Sequence, residues 1–360
     1  MLYWNISSVR KDFLFRSGEK WHARRKLLTP SFHLSVLNNY FKTFNSQAVV
    51  SALGIQLNAQ KGENEEFFYA VVRVFEMMFK TIRYPWLRLK FVWYGLGYGW
   101  EFDKNATILT TLTRKVFEEM ETSPTFDEVS SRKRNRLSFL DLLISLRKEH
   151  NLSVEDICEE VGTIFVAGYD TTSSSMGYLL YLLGQHPEQQ EKVYEEIVEV
   201  LGSDVNREIK MEDIKQLKYI DQCIKETLRL YPAVPMIGRL ITEDLQVGDY
   251  TLPAGVTASV APYSVQRDPK HWYDPEKFDP DRFAPENSIG RDPFAFIPFS
   301  AGMRNCLGQK FALMEEKVML CRIIGNYQIT TMTDDAENRG LPEITMKPER
   351  GFPLKFKLRR

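Results

Sequence analysis

The stretch Ser153–Gly184 is apolar nearly all the way round a helical wheel, and this constrains the fold more than any other feature. A helix without a polar face has to lie inside, wrapped by other elements. Ser153 opens it, with Asp156 three residues later as a variant capping box. A chain of 360 residues can bury such a helix, as one large domain or two smaller ones. The surrounding pattern is also helical: Trp21–Leu28 ended by Thr29-Pro30, Glu65–Ile82, Thr107–Met120, a segment from Pro187 to a stop at Gly202, and Asp213–Leu230 broken by Pro232 and Pro235. Strand signals come late, where Val247–Ala261 alternates across Pro253-Ala254-Gly255 and predicts a hairpin. Glu128–Arg136 predicts a solvated connector, and Arg267–Asn287 a proline- and aspartate-rich coil. The expected class is mainly α with a small sheet component.

Charged content of 26% and a net charge of −1 describe an ordinary globular surface and argue against nucleic acid as a partner. Cys158, Cys223, Cys306 and Cys321 lie far apart, with no C-x-x-C and no histidine at zinc spacing. A disulfide scaffold or zinc site is therefore not expected, and a reducing compartment is. Cys158, Cys223 and Cys321 read as small apolar filler on helices. No signal peptide and no membrane-spanning run is expected. Trp86–Trp100, W-L-R-L-K-F-V-W-Y-G-L-G-Y-G-W, reads either as a bilayer-interface segment or as a lid packed on the core.

Cys306 stands apart from the other cysteines. It lies in Phe299–Gly308, F-S-A-G-M-R-N-C-L-G, after a Gly/Arg loop entered through Pro298. Helical spacing resumes at Leu307 and continues through Phe311, Met314, Val318 and Cys321. A thiol at a helix N-terminus, with Arg304 two residues upstream, is favoured as thiolate and needs an electrophile or metal opposite it. Ala167–Thr172, A-G-Y-D-T-T, followed by three serines, puts poor helix formers and an acid into the apolar helix. It reads either as a kink with back-bonded threonines or as an opening that presents Asp170 and Thr171 as a proton relay. Glu226 and Arg229 in E-T-L-R share a helix face. Such a pair matters little on a surface, unless Arg282 in P-D-R-F completes a buried network. Trp21 and Arg25 in W-H-A-R-R either donate together to a carboxylate or phosphate or form a solvated basic face. Arg239, after P-A-V-P-M-I-G, is a further candidate cation.

Taken in order, these residues resemble the cytochrome P-450 superfamily of heme-thiolate monooxygenases. Phe299–Gly308 is similar to its F-x-x-G-x-R-x-C-x-G heme-binding loop, Glu226-x-x-Arg229 to its E-x-x-R pair, and Pro280–Phe283 to its P-x-R-F element. Ala167–Thr171 resembles its oxygen-activation motif and Trp21-x-x-x-Arg25 its propionate-binding helix. Gly18–His33 further resembles the family-four branch, microsomal enzymes often acting on fatty acids. The resemblance implies a P450 fold, mainly α with small sheets, in one domain over 1–360. It implies heme b with Cys306 as axial iron ligand, and Trp21, Arg25, Arg239 and Arg304 on the propionates; Phe299 and Gly308 belong to the same cofactor-binding loop. Asp170 and Thr171 are then the catalytic proton-delivery residues, and Glu226, Arg229 and Arg282 structural. Electrons are expected from NADPH through NADPH–cytochrome P450 reductase, with cytochrome b5 as a second donor, docking near Cys306 on Arg24, Arg25 and Lys26. A lipophilic substrate, fatty-acid-like or xenobiotic, is implied. So are the cytosolic face of the endoplasmic reticulum membrane and peripheral membrane contact through Trp86–Trp100. The branch often has a glutamate, able to form an ester to heme, where this chain has Ala167; non-covalent heme is expected.

Two departures from the family pattern matter. The anchor, early helices and first strands expected before the Trp21 helix do not precede it, so the fold is expected to be incomplete at the N-terminus. Phe44–Val50 also runs into Ser51–Gln60 where the family places two more helices, which suggests an internal deletion near 50–51. An open strand edge is then expected near Ile237–Ile241 and Val256–Ala261, and an apolar patch on the central helix. Two alternatives stand beside the monooxygenase. One is an inactive truncated isoform or fragment with weak or no heme binding. The other is a hydrolase or transferase using Cys306 as nucleophile, for which His271 would have to arrive from the coil segment.

Overall fold

The computed structural model describes residues 18–32, 37, 65–121, 143, 147, 150–333, 338 and 340–359. The expected junction near 50–51 and the connector Glu128–Arg136 lie outside them. The chain divides into two compact units, Trp4–Asp170 and Thr171–Arg360 with Met1–Tyr3. The first holds α1 (Gly18–Leu28), α2 (Glu65–Arg83), α3 (Lys90–Gly95), α4 (Tyr98–Glu121) and the first half of α5 (Val154–Gln185). The second holds the rest of α5, α6 (Pro187–Leu201), α7 (Met211–Gln216), α8 (Lys218–Leu230), α9 (Pro262–Val265), α10 (Gln309–Asn326) and paired strands. No helix among the described residues is long and apolar enough to cross a membrane.

In the first unit the capping box at Ser153 closes as its sequence implies. The Asp156 N–H donates to Ser153 Oγ at 3.0 Å, and the Ser153 N–H donates to Asp156 Oδ2 at 3.1 Å. The core joins Val74 and Met77 of α2 to Leu87, Trp93 and Phe102. Phe67 of α2 meets Phe165 of α5 edge to face at 4.7 Å. α4 starts at Tyr98, well before the expected Thr107, because Gly97 at φ +84° turns the chain into it. The aromatic segment Trp86–Trp100 is partly packed and partly exposed. Leu87 and Trp93 are buried, while Trp86, Leu89, Phe91, Leu96 and Trp100 are exposed.

In the second unit, Met176 and Tyr178–Leu183 of α5 are buried. The buried amide of Gln190 on α6 donates to the carbonyls of Leu183 and Ile329 (2.8 and 2.9 Å) and accepts the Ile329 N–H at 2.8 Å, so one side chain ties α6 to the end of α5 and to a strand. The expected single helix Asp213–Leu230 is two helices, α7 and α8, broken at Leu217. The Glu196 carboxylate makes that break favourable. It accepts the first N–H groups of α8 from Lys218, Tyr219 and Ile220 at 2.7, 2.7 and 2.9 Å.

The strands form antiparallel pairs: β1 (Ile237–Leu240) with β4 (Thr257–Val260), β2 (Leu245–Val247) with β3 (Tyr250–Leu252), β5 (Tyr327–Thr331) with β8 (Leu354–Leu358), and β6 (Gly340–Pro342) with β7 (Met346–Pro348). The hairpin expected across Pro253–Gly255 is not the one formed. The tight turn is Gly248-Asp249, with Gly248 at φ +57°, and it sets Val247 opposite Tyr250. Pro253–Gly255 instead passes the chain to β4, which pairs back with β1 in the register Ile237↔Val260. Among the described residues this sheet has two strands, and Leu240, Val256 and Val260 are exposed on or beside it.

Gly177 of α5 lies against the Phe352 ring; a Cβ there would stand 2.1 Å from Phe352 Cε2. Gly177→Ala is therefore expected to destabilise by about 1–3 kcal/mol through overpacking. Thermal unfolding followed by circular dichroism checks this, and an unchanged Tm would contradict the contact.

Candidate active site

α8 turns Glu226 and Arg229 inward, and both side chains are 0% exposed. A buried ion pair is tolerated only when its remaining donors and acceptors are filled. Here Arg229 Nε and Nη2 grip Glu226 Oε2 and Oε1 at 2.7 and 2.8 Å. Its other N–H groups donate to the carbonyls of Gln266 (3.0 Å), Pro275 (2.7 Å) and Lys277 (3.1 Å), so the fork of the guanidinium is filled. Arg282 Nε stands 3.3 Å from Glu226 Oε1, and its Nη atoms donate to the carbonyls of Tyr273 and Asp274. The Asp279 N–H donates to the same Glu226 Oε1 at 2.9 Å. The segment read from sequence as irregular coil is thus organised from within by two arginines.

Two residues that the sequence reading passed over extend this network towards the cysteine. Gln266 is fully buried; its Nε2 donates to the carbonyls of Leu228 and Arg229 (2.8 and 3.1 Å) and its Oε1 accepts the Ile297 N–H at 2.9 Å. Trp272 lies under two guanidiniums, Arg229 at 5.1 Å and Arg291 at 4.5 Å from its ring centroid, and its indole N–H donates to the Ala295 carbonyl at 3.3 Å. A tryptophan amid proline-rich polar coil was the available signal for it. Gln266 had none.

Residues 295–297 being held in this way, the loop that follows has a fixed base. Ser300 at φ +61° and Gly302 at φ +73° bend it, and the Cys306 N–H donates to the Phe299 carbonyl at 2.9 Å, closing it. Arg239 reaches over from β1 and donates to Ser300 Oγ at 3.1 Å. Arg304 ends the short 3₁₀ turn Gly302–Arg304, and Gly308 is the N-cap of α10. The helix begins at Gln309, so Cys306 precedes it instead of sitting in its first turn; the loop's own hydrogen bond takes the Cys306 N–H. None of the four cysteines forms a disulfide, and Cys306 is exposed. Burial pushes the Cys321 thiol up to about 12 and the Cys223 thiol well above its ordinary value, and the half-buried Cys158 is raised too. Those three are poor thiolates.

Along α5, Asp170 is buried, Thr171 half-buried and Gly168 exposed, and a Cβ on Gly168 would meet nothing within 4 Å. In the first unit, Trp21 is buried with its ring edge-on to His22 at 4.9 Å, and Arg25 is half-buried. The expected basic patch Arg24, Arg25 and Lys26 needs correction. Arg24 pairs with Asp156 at 2.5 Å and Glu160 at 3.5 Å on α5, because an unpaired Glu160 could not be buried there. A cavity of about 810 Å³ in the second unit, bordered by Leu182, His186, Tyr231, Lys277 and Thr331, contains none of the cysteine-loop residues.

A family model for cytochrome P450 matches residues 49–356. The chain belongs to the cytochrome P450 family. It is 38% identical to cytochrome P450 4V2 of Homo sapiens over 96% of this chain and 73% of that protein. It is 34% identical to cytochrome P450 4c3 of Drosophila melanogaster, again over 96% and 73%, and 34% identical to cytochrome P450 4F6 of Rattus norvegicus over 95% and 71%. Its fold is that of the retinoic acid-bound cyanobacterial CYP120A1, with a TM-score of 0.79 and 23% identity over 99% of this chain and 84% of that one. This P450 is accordingly a monooxygenase that works with heme. Its residues suit that group: an exposed thiol on a rigid loop for a metal, and a guanidinium bonded to the same loop for a carboxylate.

Removing Arg229 should strip the buried Glu226 of its bidentate partner, leaving it Arg282 and the Asp279 N–H, at a cost of about 3–5 kcal/mol. Arg229→Met is expected to lower the urea midpoint strongly and to lose heme on gel filtration, and Arg229→Lys to fare little better, since one ammonium cannot reproduce the fork. A midpoint near that of the parent would show that the network is dispensable.

Proposed function

We propose that this P450 inserts one atom of dioxygen into a lipophilic substrate, fatty-acid-like or xenobiotic, and that Cys306, as thiolate, would hold its heme iron. The observation that carries this reading is the exposed Cys306 on a loop anchored to the buried Glu226–Arg229–Arg282 network. When bound, heme would supply the reductive activation of dioxygen, with the Cys306 thiolate as the electron-rich group holding it.

The chain's own residues do the rest. Arg239, Arg304, Trp21 and Arg25 bind the two propionates; Phe299 and Gly308 shape the loop around the ligand. Asp170 and Thr171 hold and pass protons, a role supported by the exposure of Gly168 just before them in α5. Glu226, Arg229 and Arg282 are structural. Ala167 has no carboxylate with which to form an ester, so heme is held non-covalently. Family membership and an intact ligand loop weigh against the inactive fragment and against a nucleophilic cysteine. We read the chain as one P450 domain, supported by the family match over 49–356.

Electrons come in this reading from NADPH–cytochrome P450 reductase, with cytochrome b5 as second donor, docking near Cys306; of the basic residues expected to receive them, Arg24 is paired with Asp156 and Lys26 is exposed. The exposed aromatic and apolar residues of Trp86–Trp100, beside Arg88 and Lys90, support peripheral contact with the cytosolic face of the endoplasmic reticulum membrane.

The heme-supplemented, reduced protein should give a red-shifted, thiolate-type band in a carbon-monoxide difference spectrum. Cys306→Ala should abolish it, and a band surviving that change would refute the ligand assignment. Thr171→Ala is expected to keep heme yet release more peroxide per NADPH consumed; unchanged coupling would count against its proton role.

A further inference from the structure

Ser300 has no role in the reading above, yet it occupies an unfavoured backbone conformation. Its φ of +61° is left-handed, a region that glycine enters without steric cost and most side chains avoid. Among the described residues the other non-glycines at positive φ are Asn151 and Asp274, residue types that tolerate it better. A serine here is unfavourable for the loop unless its hydroxyl compensates. That hydroxyl is engaged. Arg239 Nη2 donates to Ser300 Oγ at 3.1 Å, while Nη1 donates to the carbonyl of Gly238 on its own strand at 2.9 Å. A planar guanidinium held at both Nη atoms has its plane set. The serine is itself pinned. Its N–H donates to the Ile297 carbonyl at 3.0 Å, and the preceding Phe299 carbonyl accepts the Cys306 N–H at 2.9 Å.

We propose that Ser300 is a positioning residue, whose hydroxyl ties the Arg239 guanidinium to the Cys306 loop and so fixes where that cation meets a heme propionate. The proposal rests on the reading of Arg239 as a propionate-binding residue. Without this bond the arginine would be carried by β1 alone. Among the described residues β1 pairs only with β4, where Arg239 stands opposite Ala258. A two-stranded sheet by itself is a marginal support for a charged side chain that has to stay in place. The bond to Ser300 refers the cation to the same loop that carries the thiol. Glycine at position 300 would keep the bend and lose the bond, whereas alanine would lose the bond and keep the strain. The two substitutions therefore separate the hydroxyl from the backbone.

The test uses the heme-loaded chain with Ser300→Gly, Ser300→Ala, Arg239→Leu and the Ser300→Gly/Arg239→Leu double variant. The rate of heme transfer to excess apomyoglobin is measured beside the ferric/ferrous midpoint potential. Ser300→Gly and Ser300→Ala should each speed heme release several-fold and move the potential to more negative values, by similar amounts. Arg239→Leu should do both more strongly, because taking a cation from beside the propionates favours the ferric form. In the Arg239→Leu background Ser300→Gly should add nothing, since the serine acts through the arginine. Parent-like release and potential in Ser300→Gly, or an effect that persists in full without Arg239, would overturn the proposal. A large effect of alanine with none of glycine would assign the position to backbone strain and overturn it too. If Arg239→Leu itself matches the parent, the propionate reading of Arg239 fails, and the proposal falls with it.

Discussion

The second unit depends on one physical constraint: a glutamate and an arginine on one turn of α8 are both fully buried. Taking these charges out of water is unfavourable by several kcal/mol each unless every N–H and oxygen finds a partner. That requirement pulls in the chain. Carbonyls of Gln266, Pro275 and Lys277 turn towards Arg229, those of Tyr273 and Asp274 towards Arg282, and a segment with almost no regular structure acquires a fixed path. Irregular backbone in an interior needs such donors, because it has no ladder of its own.

The same constraint explains how an exposed thiol can be rigidly held. Cys306 lies in no helix or strand, and its loop contains a non-glycine residue at positive φ. Such a conformation persists only when its surroundings over-determine it. Ile297 is bonded to Gln266, Gln266 to the end of α8, and Ser300 to Arg239 of β1. The Cys306 loop is thus fixed from outside itself, by Gln266 and the end of α8 on one side and by Arg239 on the other.

How much of this was legible in the sequence depends on the range of the interaction. Periodicity located α2, α5 and α6, and the Ser153–Asp156 box closes as its spacing implies. Spacing put Glu226 and Arg229 on one face, but could not bring Arg282 to them, since that contact spans many residues of coil. The break between α7 and α8 was hidden for the same reason: the cap comes from Glu196 on another helix. The hairpin was misassigned because two turn signals lie close together, and only Gly248-Asp249 has the two-residue length and positive φ that match strand twist. Arg24 looked like part of a solvated basic face, and its buried partner Glu160 lies far along the chain.

The motif A-G-Y-D-T-T with its serines shows why a locally unfavourable sequence need not be a defect. Small and polar residues weaken an apolar helix, yet here each class answers a separate need. Gly168 is exposed, Gly177 admits the Phe352 ring, and Ser174 bonds to the Met346 carbonyl of β7. An alanine-rich helix of the same length would be intrinsically better formed and would lose that bond and that ring contact. Poor helix formers in a buried helix therefore mark where its position, more than its existence, has to be specified.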